Sequence, residues 1–185
     1  MADGDGFRGD VRKVVMGHDH TGRTIVASDA PATSHGPIGD GGMVVYDIWE
    51  TFAAPTPIPP LEPDPSDRPL DFRMPDIGMR FRIAEMPPSG DRPPFMHRTE
   101  SVENVMVLRG EMTMLIDDGE EVVLRAGDTL VQRATNHAWV NRGPEPCRIL
   151  FVMIGGVLTD DLKALLGVET LEWDPAGGGT GHTAS

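Results

Sequence analysis

The chain has 185 residues, with 16 basic against 29 acidic side chains and a formal net charge of −13. That length suits one compact domain, and the acidity argues against nucleic acid or an anionic membrane as partner, because surfaces that bind them are normally basic. One cysteine, Cys147, excludes an internal disulfide, and no apolar run approaches the roughly 20 residues of a spanning helix.

Taken in chain order, residues 1–10 carry acid and glycine where a secretion signal has an apolar run, so a flexible start and a cytoplasmic protein are expected. VRKVVMG and TIVASD flank the turn-rich HDHTGR and predict an N-terminal hairpin; this places His18 and His20 in a turn rather than in a metal pair. MVVYDIW predicts another strand. Pro55 to Pro75 holds eight of the 17 prolines and reads as an extended connector wrapped on a surface. Residues 11–78 are thus expected to form a hairpin and a proline-rich arm.

From Met79 to Ile154 short β-type runs alternate with turn signals: MRFRIAEM, FMHRT, ENVMVLR, EMTMLID, EVVLR, TLVQR, HAWVN and CRILFVMI. Strands without intervening helices predict an antiparallel sandwich or barrel over residues 79–156. The period of two puts Glu103 with Val105 and Val107, His137 with Trp139 and Asn141, and Phe81 with Ile83 and Glu85, leaving Arg80 and Arg82 to solvent. TDDLKALLG predicts one short helix, capped by Thr159 or Asp160 and ended by Gly167, within a C-terminal segment over residues 157–173. Residues 174–185 have too little apolar content to pack and are expected to be disordered. Exposed sheet edges and a last strand apolar on both faces predict a homodimer.

Ligand-type residues sit where a purely structural strand would carry Val or Ile. His97, Thr99 and Glu103 occupy odd positions around a tight passage, and His137 returns 34 residues after Glu103. Two imidazoles and one carboxylate with open positions suit non-haem Fe(II) and can also hold Mn, Ni or Zn. Cys147 has no base supplied to it and reads as buried packing.

On these residues the sequence resembles the cupin superfamily. Gly90, His97, Glu103 and Gly110 match its first motif, and Gly127, Asp128, His137 and Asn141 its second; MHRTESVENVMVLRGE is similar to a subgroup with an HRT-type first motif. The resemblance implies an all-β double-stranded β-helix, a jelly-roll barrel with a pocket at its centre, and no particular reaction. Two departures stand out. Thr99 occupies the place of the usual second His, and Arg133-Ala134-Thr135-Asn136 replaces the customary Pro and Gly before the second-motif His.

His97, Glu103 and His137 are therefore expected either as a facial triad for a divalent metal or as a site that has lost it. The first reading is a metal-dependent small-molecule enzyme of oxygenase, isomerase or lyase type, with Thr99, Val105, Met114 and Trp139 shaping the substrate pocket. The alternatives are a metal-free enzyme using Glu103 and His137 for acid/base chemistry, as in dehydration or cyclisation, and a non-catalytic ligand-binding or sensing domain.

Overall fold

The computed structural model describes residues 11–38, 42–71, 74, 76–168, 171–174 and 178–181. The expectation of a flexible stretch over residues 1–10 lies outside them. β1 (Arg12–His18) and β2 (Thr24–Pro31) form the expected hairpin. Its turn is closed by the Asp19 carboxylate, which accepts from the Thr21 and Arg23 backbone N–H groups at 2.8 and 3.1 Å.

β3 (His35–Ile38), β4 (Met43–Thr51), β5 (Met79–Met86), β6 (Ser101–Arg109), β9 (Thr129–Arg133) and β11 (Cys147–Gly155) make a six-stranded antiparallel sheet in the order β3-β4-β5-β11-β6-β9. β7 (Glu111–Leu115), β8 (Glu121–Arg125) and β10 (Ala138–Val140) make a three-stranded sheet in the order β10-β7-β8. The main core joins both sheets: Val45, Ala84, Val105, Val107, Ile149 and Phe151 from the larger, Met112 and Leu124 from the smaller. This is the expected all-β double-stranded β-helix. β3 and β4 precede residue 79 and still belong to its main sheet.

Helix α1 (Asp160–Leu166) is capped by the Thr159 hydroxyl, which accepts from the Leu162 N–H at 3.4 Å, and ends at Gly167 with φ 66°. No helix among the described residues is long and apolar enough to cross a membrane. β12 (Leu171–Asp174) pairs with β13 (Gly178–Gly181), which corrects the expected disorder over residues 174–185 at Asp174 and at Gly178–Gly181. Backbone N–H and C=O groups pair across a hairpin whatever the side chains contribute. The other residues of that stretch lie outside the described ones.

Register arranges the inner face of the large sheet in layers. Val45, Ala84, Ile149 and Val107 are cross-strand neighbours in one row; Asp47, Arg82, Phe151, Val105 and Leu130 form the next; Glu50, Arg80, Met153, Glu103 and Gln132 form the third. The interior thus grades from apolar to polar toward one end of the strands. Arg80 and Arg82 are 1% and 6% exposed, not solvated as expected. Arg80 Nε donates to Glu50 Oε1 at 2.5 Å, and Arg82 Nε to Asp47 Oδ1 at 2.6 Å. The expectation failed because both faces of β5 are covered: Phe81 and Ile83 pack with Val11, Ala32, Tyr46 and Ile48 in a second cluster. Glu85 shares their face and pairs with Arg148, away from the barrel centre.

The proline-rich arm is fastened to the polar end of the barrel. Arg68 donates to Glu50 Oε2 at 2.7 Å, and both Arg80 and Arg82 donate to the Asp71 carbonyl, at 2.6 and 3.0 Å. Leu70 packs against the main core, Ser66 is fully buried, and Lys13 bonds both Asp64 and Ser66.

Candidate functional site

The polar row ends in a cluster assembled from three passages of chain. His97 and His137 face each other across an isolated antiparallel bridge, exchanging backbone hydrogen bonds of 2.8 and 2.9 Å. Their rings lie 4.3 Å apart, tilted by 48°. Each Nδ1 contacts the carbonyl two residues upstream: His97 with Phe95 at 3.1 Å, His137 with Thr135 at 2.9 Å. A carbonyl can only accept, so each Nδ1 carries the proton and each Nε2 presents a lone pair. Such a tie fixes tautomer and ring orientation whether the lone pair serves a proton or a metal ion.

His137 is fully buried, and its Nε2 has no hydrogen-bond partner among the described residues. Burial, reinforced by smaller electrostatic contributions from His97 and Arg98 and opposed by the Thr135 carbonyl, lowers its pKa from 6.5 to about 4. It is a neutral base at neutral pH. The turn that delivers it contains Ala134 at φ 49°, in the left-handed region, within the segment that replaces the customary Pro and Gly. Ser101 and Arg98 hold that turn: Ala134 N–H donates to the Ser101 carbonyl at 3.1 Å and Arg98 Nη1 to the Ala134 carbonyl at 2.9 Å.

Glu103 is 3% exposed and belongs to a different small network. Its Oε1 accepts from Thr99 Oγ1 at 2.6 Å and from Ser101 Oγ at 2.9 Å, and the two hydroxyls are themselves 2.9 Å apart. Gln132, its cross-strand neighbour on β9, is fully buried, and its amide lies 3.2 Å from His137 Nδ1. Trp139 meets His137 and Phe151 edge-on, at 5.6 Å in each case. Val105 is part of the main core, and Met114 is buried opposite Trp139 in the register of β7 and β10.

Among the described residues no three His, Cys, Asp or Glu side chains form a group able to hold a metal ion. Glu103 turns its Oε1 to the hydroxyls of Thr99 and Ser101, and the structure does not group His97, Glu103 and His137 as the three-ligand set expected of them. Thr99, which stands in the place of the usual second His, donates to that carboxylate. Sequence reasoning missed Ser101 and Gln132. Both were accessible by parity, since Ser101 shares the odd positions of His97, Thr99 and Glu103, and Gln132 shares the face of Leu130 two positions before it. Asn141, matched to the second motif, does not touch His137; it donates to the Met86 and Glu145 carbonyls at 2.9 and 2.8 Å and pins two loops. Cys147 is buried, and burial together with the nearby Glu111 charge pushes its thiol up to about 11, which makes it inert packing.

A family model described as a cupin domain matches residues 82–153. Over 105 residues the chain is 41% identical to phomopsin biosynthesis cluster protein C' of Diaporthe leptostromiformis, covering 54% of each chain. It is 29% identical over 150 residues to the cupin-domain-containing oxidoreductase fogC of Aspergillus ruber, covering 76% of this chain and 70% of that one. The matched stretch spans about half the length of the phomopsin-cluster relatives. A solved protein with a double-stranded β-helix domain from Klebsiella pneumoniae aligns at 17% identity over 65% of this chain and 83% of its own, with a TM-score of 0.44. With the matched residues forming the paired sheets around the two-histidine bridge, the chain carries a cupin domain.

Proposed function

We propose that this protein is a small-molecule enzyme that moves protons on a substrate held inside the barrel, with His137 as the base and Glu103 as its acid/base partner. One observation carries the reading: a fully buried imidazole whose Nε2 has no hydrogen-bond partner among the described residues, lying against Gln132, the cross-strand neighbour of a carboxylate that two hydroxyls hold in place. A buried polar atom left unpaired costs about 1–3 kcal/mol and is kept where a ligand satisfies it. Thr99 and Ser101 orient Glu103, Gln132 spaces it from His137, and Trp139 with Phe151 supplies an apolar wall. Relatives named as cupin-domain-containing oxidoreductases and biosynthesis cluster proteins support an enzymatic role in building small molecules. The fold itself does not choose the reaction. Proton transfer of this kind serves dehydration, cyclisation and isomerisation alike.

The test is a comparison of metabolites with and without the gene. A compound that accumulates on deletion should be converted by purified, untagged protein in the presence of a chelator. His137→Gln and Glu103→Gln should each slow the conversion by about 10²–10⁴-fold, the usual contribution of a positioned acid or base. A conversion that requires added divalent metal, or one that survives both substitutions, would overturn the reading in favour of a metal centre on His97 and His137 or of a binding domain without catalysis.

A further inference from the structure

From the hydrogen-bond inventory and the arrangement of rings, we infer that the substrate is a neutral phenol, its hydroxyl donating to His137 Nε2 and its ring lying along the aromatic side chains beside it. This rests on the reading of the barrel interior as a substrate site and narrows the ligand class.

The first observation is the pair of unsatisfied atoms. His137 Nε2 can only accept, because the Thr135 carbonyl already claims the Nδ1 proton. The Gln132 amide, also fully buried, has one polar atom without a partner, its Oε1 as placed. Turning the amide over would set its oxygen toward the Nδ1 proton and leave its NH2 unpaired instead. The turned-over amide is the one consistent with the Nδ1 proton, and a single hydroxyl then satisfies both groups: it donates its one proton to Nε2, and its oxygen accepts from the Gln132 NH2. A carboxylate or phosphate has no proton for Nε2 and would be brought beside Glu103. A charged ligand of either sign would also have to be desolvated against a neutral imidazole and a carboxylate already engaged by two hydroxyls.

The second observation is independent. Phe95, His97, His137, Trp139 and Phe151 form a continuous series of ring contacts at 5.3, 4.3, 5.6 and 5.6 Å. The chain has only six Phe, three Trp and one Tyr, and three of these lie in this series. The series also runs inward: Phe95 is 45% exposed, His97 is half-buried and His137 is fully buried. A flat ring is the shape that such a row accepts, with edge-to-face or offset contacts adding to simple burial.

The experiment titrates the untagged full-length protein with phenol, anisole, benzoate and cyclohexanol, following the imidazole nitrogens by 15N NMR. Phenol should shift the His137 Nε2 resonance. Anisole, whose oxygen has no proton, benzoate and cyclohexanol should each bind at least about 10-fold more weakly, the scale of one hydrogen bond or one aromatic contact. Gln132→Leu should weaken phenol by a similar factor and leave anisole unchanged. Anisole or benzoate binding as well as phenol, a phenol complex that leaves His137 unmoved, or no binding by any of the four overturns the assignment. The wild-type series needs no variant to fold, and the conversion assay decides the catalytic reading separately from this one.

Discussion

His137 is neutral because its surroundings make charge costly, and that preference is coupled to stability. The unfolded chain takes up a proton near pH 6.5, whereas the folded chain refuses it until about pH 4. Folding is therefore fully favoured above pH 6.5 and loses stability as the pH falls from 6.5 toward 4, by about 3 kcal/mol for a shift of this size. Urea denaturation of wild type and His137→Gln across this range should show the difference as a steeper acid slope in wild type; parallel curves would mean that the imidazole takes up its proton equally readily folded and unfolded. A second residue-scale expectation concerns Gly78, at φ 119°, where a Cβ would lie 2.0 Å from the Thr51 carbonyl oxygen. Gly78→Ala should cost about 3 kcal/mol or more, against about 1 kcal/mol for Gly90→Ala, at φ 56° with open space around it. Equal losses in a denaturant titration would contradict the close approach of β4 to the start of β5.

At the scale of elements, the ion pairs of β4 and β5 differ in kind from those at the surface. Arg80 and Glu50 are each 1% exposed and also anchor the arm through Asp71 and Arg68, whereas Arg12 and Asp29 of the hairpin are 71% and 45% exposed. Arg80→Met leaves a buried carboxylate short of its partner and should cost about 3–5 kcal/mol, while Arg12→Ala should cost no more than about 1 kcal/mol. Limited proteolysis should then cut the Arg80→Met protein within residues 55–71 and spare the Arg12→Ala protein; equal resistance would show that the arm is held by something else. These pairs also mark where sequence reading stops. Strand positions, the hairpin, the Thr159 and Gly167 helix ends and the inward parity of Glu103 and His137 all follow from local pattern, because turn residues and a period of two act over a few positions. Arg80 and Arg82 were misplaced because parity names two faces without saying which is covered. Here Val11 and Ala32, at the base of the N-terminal hairpin, pack with Tyr46 and Ile48 against Phe81 and Ile83, so the apolar residues of β5 point to that side and its arginines inward. The Thr99, Ser101 and Glu103 network was missed for another reason: the motif match supplied a role for Glu103 before its nearest donors were counted.

For the whole molecule, the outer face of the large sheet leaves Met106, Leu108, Val131 and Ile154 exposed on neighbouring strands. The homodimer expected from the two-sided apolar β11 would cover this face. Light scattering should give twice the chain mass, falling to one chain in Val131→Glu; a monomeric wild type would remove that expectation.

The barrel as a whole is organised so that polarity rises along its inner face and culminates in two imidazoles and a carboxylate engaged by hydroxyls. The most direct test is the metal content of the untagged, full-length protein, measured by elemental analysis together with its melting temperature with and without a chelator. With Glu103 engaged by two hydroxyls and no third ligand grouped with the imidazoles among the described residues, the protein should carry well under one divalent ion per chain and melt at the same temperature either way, because an ion that does not bind adds nothing to folding. About one ion per chain, retained through purification, lost in His137→Ala and stabilising against heat, would contradict it.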